Sequence, residues 1–281
     1  MRITQYEGPD GIRLAAEGED GPRPLDRPAG TGLAELLRES PEVGDLAGMV
    51  LDESVGEARP LPPIAPGKIV AIGLNYLDHI RESGVDPPEL PLVFAKFPST
   101  VIGHGDAIEF DPGITRRVDW EVELGVVIGR SMRHVSEADA LSHVFGYTGV
   151  NDVSARDLQF GDGQWTRGKS LDTFCPVGPV VVTADEIPDP QNLRLETKVN
   201  GEVVQSSSTS EMVFGVAEIL SFCSHNFTLE PGDLVITGTP WGCGEFMDPP
   251  RSLEDGDLVE TSVELIGALA NPVRTIAKEQ A

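Results

Sequence analysis

The chain has 281 residues, with 46 acidic against 21 basic side chains and a net charge of −25. That length allows a full hydrophobic core, and that charge opposes binding to phosphate backbones or anionic membrane surfaces, so neither nucleic acid nor membrane is an expected partner. Three cysteines without C-x-x-C spacing exclude a disulfide framework and a zinc motif, and no stretch has the length of a membrane span or signal peptide, so a cytoplasmic protein is expected.

Residues 1–65 read as a small N-terminal lobe, separate from a larger domain at 66–281. Ile3 to Tyr6 and Ile12 to Ala16 flank a Gly-Pro-Asp-Gly turn, which predicts a hairpin, and Gly32 to Arg38 has a short helical pattern. The proline-rich run Arg59 to Pro66 resists both helix and sheet and marks the boundary. Ile69 to Gly73 then predicts a buried strand. Asn75 to Glu82 predicts a helix that stops at Ser83-Gly84, and Leu92 to Lys96 predicts another strand. His79 and Glu82, three apart on that helix, are placed either as a base oriented by its carboxylate or as two surface residues near a helix end. Bracketed by Gly84 and Pro87-Pro88, the helix suits a lid.

The centre of the chain is Val118 to Ile128, Val-Asp-Trp-Glu-Val-Glu-Leu-Gly-Val-Val-Ile. As one strand it sends Glu121 and Glu123 to the same face, while Val126-Val127-Ile128 implies burial. Two buried carboxylates need a cation between them, and oxygen donors suit a hard divalent ion. The alternative is a solvent-facing strand edge. A helix at Ser136 to His143 and a strand at Val144 to Val150 then deliver a third carboxylate, Asp152, to a strand end, with Arg156 and Gln159 at helical spacing beyond.

Gly163 to Ser170 spells G-x-x-x-x-G-K-S, the phosphate-loop pattern of nucleotide hydrolases. No apolar strand precedes it and a proline follows, so Lys169 is better read as a local cation for an anionic substrate. Leu193 to Val199 alternates into an Asn200-Gly201 turn and a return strand. Met212, Val216, Ile219, Leu220 and Cys223 mark a helix face. Leu234 to Thr237 predicts a strand ending in the glycine-rich Gly238 to Gly244, where Thr239 offers a hydroxyl or a plain turn is made.

Together these stretches resemble the fumarylacetoacetate hydrolase family, in particular its domain-containing type 2 branch and bacterial relatives. The match is carried by Gly73-Leu-Asn-Tyr-Leu-Asp-His79, Val118 to Leu124, Asn151 to Asp157, Gly168 to Pro176, Val199 to Gln205 and Thr237 to Pro240. It runs from about residue 68 to 273, and residues 1–65 match only in general character. The resemblance implies an α+β, β-rich fold, a mixed β-sandwich roll, assembled as a homodimer. It also implies Mg2+ or Mn2+, with Ca2+ as a substitute, on Glu121, Glu123 and Asp152. Lys169, Arg156, Gln159 and Thr239 would line the pocket, with His79 and Glu82 as the catalytic dyad. Cys243 departs from the valine common at that position, which bears on substrate shape.

The chemistry expected is that of small 2-oxo acids, first the hydrolytic C–C cleavage of an acylpyruvate-like 2,4-dioxo acid. Decarboxylation or keto–enol tautomerisation of oxaloacetate needs the same groups without an attacking water. A non-catalytic, metal-stabilised binding protein is the alternative from another class.

Overall fold

The strand Val122–Ile128 sends Val122, Leu124, Val126 and Ile128 into one apolar cluster and Val127 into a second, on the opposite face, as two-residue side-chain alternation requires. The computed structural model describes residues 1–276 apart from 19, 40–42 and 57. Within it this strand lies inside a mixed sheet of eleven strands, counted over the described residues. Its antiparallel neighbours are Val144–Asn151 and Leu234–Ile236, and the latter runs parallel to Ile69–Gly73. Both faces of this sheet are covered, which is why these strands read as nearly continuous apolar runs.

On one face a second, five-stranded sheet closes the sandwich. Its strands Arg194–Val199 and Leu258–Val263 contribute Leu195 and Val263 to the cluster that holds Leu124. The helix Val216–Asn226 adds Val216, Ile219, Leu220 and Cys223. Met212, expected on that helix, instead lies just after the short 3-10 turn Thr209–Glu211, because the extended backbone of Gly215 delays the helix start. The opposite face is covered by the helix Leu33–Arg38 through Leu33, Leu36 and Leu37, packed with Ile3, Leu14, Ile69 and Leu234. The β-rich α+β sandwich is thus the observed fold.

Two sequence expectations change here. The N-terminal segment forms the expected hairpin, Arg2–Gly8 with Gly11–Gly18, and adds a third strand, Gly21–Pro24. It is not separate, however, because Arg2–Gly8 pairs with Cys175–Thr183 in the main sheet, with Ile3 opposite Val181. An open sheet edge and the buried side chains of Ile3 and Leu14 are satisfied together by that docking. The proline-rich connector also contributes a two-residue strand, Pro60–Leu61, paired with Gln5 and Tyr6. Proline is tolerated there because an edge position does not need its missing N–H. Among the described residues no helix is long and apolar enough to cross a membrane.

If the N-terminal segment shares the fold's cooperativity, Ile3→Ala should lower the unfolding free energy by about 2–5 kcal/mol. Urea unfolding should remain one transition; two resolved transitions would show that residues 1–65 unfold on their own.

Candidate active site

The central stretch is not one uninterrupted strand. Val118–Asp119 pairs with Ser154–Ala155 in a small ribbon, and the main-sheet strand begins only at Val122. Side-chain acceptors cause the break. The N–H of Trp120 donates to Asp119 Oδ1 (2.8 Å), that of Glu121 to Asn151 Oδ1 (2.9 Å) and that of Val122 to Gln205 Oε1 (3.0 Å). The next ladder partner is recovered when the Asp152 N–H donates to the Glu121 carbonyl at 2.8 Å. Val122 lies opposite Asn151, so the start of one strand and the end of its neighbour bring Glu121, Glu123 and Asp152 together.

All three carboxylates are buried, and one oxygen from each lies within 4.8 Å of the others. The solvent-edge alternative for Glu121 and Glu123 is therefore wrong, since both are covered by protein. Lys169 Nζ donates to Glu121 Oε2 (2.6 Å) and Asp152 Oδ2 (2.9 Å). Arg156 Nη1 is 2.7 Å from Glu121 Oε1 and also donates to Gln159 Oε1, while its Nε donates to Asp119 Oδ2 (2.9 Å). Glu123 Oε2 accepts from the Gly238 N–H at 2.7 Å. Gly238 has φ +97°, and a Cβ there would meet Asn75 Cβ at 2.9 Å, so the close approach needs glycine.

These charges perturb one another strongly. Burial pushes Glu121 up, but Lys169 and Arg156 outweigh it and hold the carboxyl at about 2. Glu123 goes the other way: burial, then the Asp152 and Glu121 carboxylates, drive it well above the carboxylate range. Burial lowers Lys169, yet Asp152 and Glu121 overcome this and raise it. Without a further cation, then, this site cannot comfortably ionise all its carboxylates. The donor set fits a divalent ion: three converging carboxylates suit a hard cation such as Mg2+ or Mn2+.

The dyad stands beside this cluster. The helix Leu77–Ser83, closed by Gly84 in the left-handed region, places His79 Nδ1 2.7 Å from Glu82 Oε1. Glu82 Oε2 accepts from the Gly242 N–H (2.9 Å), which fixes the carboxylate. His79 is buried edge-on against Phe246, with ring centroids 5.5 Å apart, so the surface-pair alternative fails as well. Thr239 Oγ1 accepts from Gln205 Nε2 at 3.0 Å. A cavity of about 280 Å³ is lined by His79, Glu121, Glu123, Arg156, Lys169 and Thr239, with Gln159 also on its wall. Its remaining wall is largely apolar, including Phe94, Phe160 and Trp165. A larger, more open depression of about 670 Å³ holds none of these residues.

The G-x-x-x-x-G-K-S match is not a phosphate loop. Gly163 ends the helix Arg156–Asp162, and Thr166–Lys169 is a single turn. A Cβ on Gly168 would lie 2.7 Å from the Gln159 backbone nitrogen, so this glycine serves close packing.

Sequence reading missed three supports. Lys96 was legible only as the last residue of an apolar strand, but it is buried and its Nζ donates to Asp152 Oδ1 at 2.6 Å and to the Val153 carbonyl at 3.3 Å. Asp119 pairs with Arg156 and accepts from the N–H groups of Gly244 (2.8 Å) and Glu245 (3.1 Å). Gln205 links Val122, Thr197 and Thr239 across the two sheets. A lysine ending an otherwise apolar run, in a chain with only five lysines, was the one available signal.

The model of the fumarylacetoacetate (FAA) hydrolase C-terminal family matches residues 68–274. A Bos taurus protein described as "Oxaloacetate tautomerase FAHD2A, mitochondrial" is 41% identical over 288 residues, covering 97% of this chain and 91% of the relative. The structure of a fumarylacetoacetate hydrolase from Exiguobacterium antarcticum superposes with a TM-score of 0.88 at 39% identity, covering 98% of this chain and all of that one. A 5-carboxymethyl-2-hydroxymuconate delta-isomerase from Mycobacterium smegmatis gives 0.82 at 36% identity, with 98% and 100% covered.

Two outcomes follow from the charge cluster. A raised acid such as Glu123 contributes stability below the unfolded carboxylate value of about 4.3, and that contribution is lost as pH rises through its higher folded value. A divalent cation held by the three carboxylates would relieve the ionised form. The Tm gain on adding Mg2+ to chelator-treated protein should therefore be larger at about pH 8 than at about pH 5; a gain independent of pH would contradict the cluster's role. Second, Lys96→Met should cost about 3–5 kcal/mol in urea unfolding by leaving Asp152 short of a cation, and Mg2+ should recover part of it. No recovery would mean that the ion does not reach Asp152.

Proposed function

The chain belongs to the fumarylacetoacetate hydrolase family, and from that premise we propose that it is a divalent-cation-dependent enzyme that moves a proton next to the keto group of a small 2-oxo acid. The observation that carries this reading is that His79 of the dyad and Glu121 and Glu123 of the three-carboxylate cluster line one cavity of about 280 Å³. That volume is small beside typical drug-sized sites and suits a short acid. Glu121, Glu123 and Asp152 would hold the cation. When bound, it supplies Lewis acidity toward the carboxylate and keto oxygens of the substrate.

The chain's own groups do the rest. With every carboxylate ionised, Glu121, Glu123, Asp152 and Asp119 stand against the three cations Lys96, Lys169 and Arg156. The formal charge is therefore −1, becomes +1 with a divalent ion, and then favours an anionic substrate. Lys169 and Arg156 orient that anion and offset negative charge developing on its oxygens, with Gln159 and Thr239 supplying hydrogen bonds. Glu82 accepts from His79 Nδ1–H and so fixes the ring with Nε2 free to take a proton.

Keto–enol tautomerisation of oxaloacetate is the leading reaction. It asks only that His79 accept the proton from the carbon next to the keto group while the enolate oxygen gains a proton, or the reverse, and the Bos taurus relative bears that activity in its name. Hydrolytic cleavage of an acylpyruvate is the second reading, with His79 drawing the proton from water. The apolar wall of Phe94, Phe160 and Trp165 favours it, because it would accept an acyl tail better than a second carboxylate. Homodimeric assembly and a cytoplasmic location are part of the proposal, although the relative is named mitochondrial; sedimentation and cell fractionation would decide each.

With purified protein and Mg2+, the rate of oxaloacetate enol–keto exchange should exceed cleavage of acetylpyruvate, and a chelator should abolish both. His79→Ala should lower the faster reaction by about 10²–10⁴-fold. Faster acetylpyruvate cleavage would reverse the order, and accelerated loss of CO2 from oxaloacetate would make the enzyme a decarboxylase. An absence of chelator-sensitive turnover with every 2-oxo acid would leave only a binding protein.

A further inference from the structure

A second set of metal-ligating atoms lies against the dyad. Cys243 Sγ is 3.9 Å from His79 Nδ1, and Sγ, one ring nitrogen of His79 and one Glu82 carboxylate oxygen all lie within 4.8 Å of one another. Tetrahedral zinc with bonds of about 2.0–2.3 Å places neighbouring ligand atoms about 3.5 Å apart. The sulfur–nitrogen pair is already close to that spacing, and the 2.7 Å Nδ1–Oε1 pair must open by less than an ångström. Glu82 Oε2 is engaged by the Gly242 N–H, so Oε1 is the oxygen that turns to an ion.

The chemistry of these donors differs from that of the carboxylate cluster. Three oxygens select a hard ion, whereas a nitrogen, an oxygen and a sulfur select a softer one such as Zn2+ or Cd2+. Charge points the same way. A thiolate and a carboxylate cancel a dication with a neutral imidazole as third ligand, and a neutral assembly is what a buried site tolerates. Burial first, helped by the Asp119, Glu121 and Glu82 carboxylates and opposed by Arg156, pushes the Cys243 thiol well above its ordinary range, so in the ion's absence it stays protonated and inert. The path to the site is short: His79 lines the cavity, and the Glu82 side chain keeps 18% exposure.

We propose that His79, Glu82 and Cys243 form a second, inhibitory cation site that takes a thiophilic divalent ion and disarms the dyad. On binding, the S–H bond breaks, its proton leaves to solvent, and sulfur, Nδ1 and Oε1 bond to the ion. The ring proton moves from Nδ1 to Nε2, so the nitrogen that took the substrate proton becomes a donor. The site rests on its own geometry; only its effect on turnover rests on the function proposed above.

The test is a Cd2+ titration of the Mg2+-loaded protein, followed by the ultraviolet band of thiolate-to-cadmium charge transfer, which oxygen ligands do not give. One equivalent should produce the band in the wild type. Cys243→Val should abolish it, Glu82→Gln should weaken Cd2+ affinity at least about tenfold, and the double variant Cys175→Ala, Cys223→Ala should keep it. A band that survives Cys243→Val, or is lost from the double variant, overturns the site. In the second arm, Cd2+ should lower wild-type turnover at least about tenfold with saturating Mg2+ present, reversibly on adding a dithiol, and leave Cys243→Val turnover unaffected. The band without inhibition would overturn the disarming step. A protein that turns over no 2-oxo acid would still show or lack the band, so failure of the activity and failure of the site are told apart.

Discussion

Mutual neutralisation of buried charge is the constraint on which this structure depends. Glu121, Glu123, Asp152 and Asp119 are wholly or almost wholly removed from water, as are Lys96, Lys169 and Arg156. Any one of them alone would be prohibitively costly. Each cation touches at least one carboxylate, and Lys169 and Arg156 each touch two. The exception is Glu123, whose oxygen has the Gly238 N–H in place of a cation. That unbalanced carboxylate is where a further cation would complete the charge balance.

The backbone around this cluster is shaped by side chains that take over ladder hydrogen bonds. Asp119, Asn151 and Gln205 accept from three consecutive N–H groups, which interrupts the strand at Trp120 and Glu121 without leaving those donors buried and unpaired. The interruption lets Val118–Asp119 leave the main sheet for the ribbon with Ser154–Ala155, which begins the helix carrying Arg156 and Gln159. Gln205 comes from the second sheet, so the site's backbone is completed by a side chain from across the sandwich.

Two donor sets of different softness border one cavity, through Glu121 and Glu123 on one side and His79 on the other. The oxygen cluster sits at the strand ends, and the His79, Glu82 and Cys243 set sits where a helix meets the glycine-rich loop. A His–Glu pair tuned for proton transfer is by its nature a partial metal site, since both tasks need an accessible nitrogen lone pair and a nearby carboxylate. The buried sulfur completes it.

Periodicity made most elements legible, because apolar alternation and the turn residues Asn200-Gly201 and Gly84 act locally. The strands Ile69–Gly73, Leu92–Lys96, Val144–Asn151 and Leu234–Ile236 and the helix Leu77–Ser83 lie where the pattern placed them, and the motif resemblance supplied the family. Lys96, Asp119 and Gln205 were not legible, since their roles come from contacts 37 to 83 residues away along the chain. Nor could spacing reveal that Arg2–Gly8 completes the main sheet, or that Cys243 meets a histidine 164 residues before it. Sequence by itself determined the elements and the residue types available for chemistry, because these depend on local sterics and hydrophobic period. Which of them share a cavity was decided only by tertiary structure, because burial, charge pairing and donor geometry are properties of segments that meet in space.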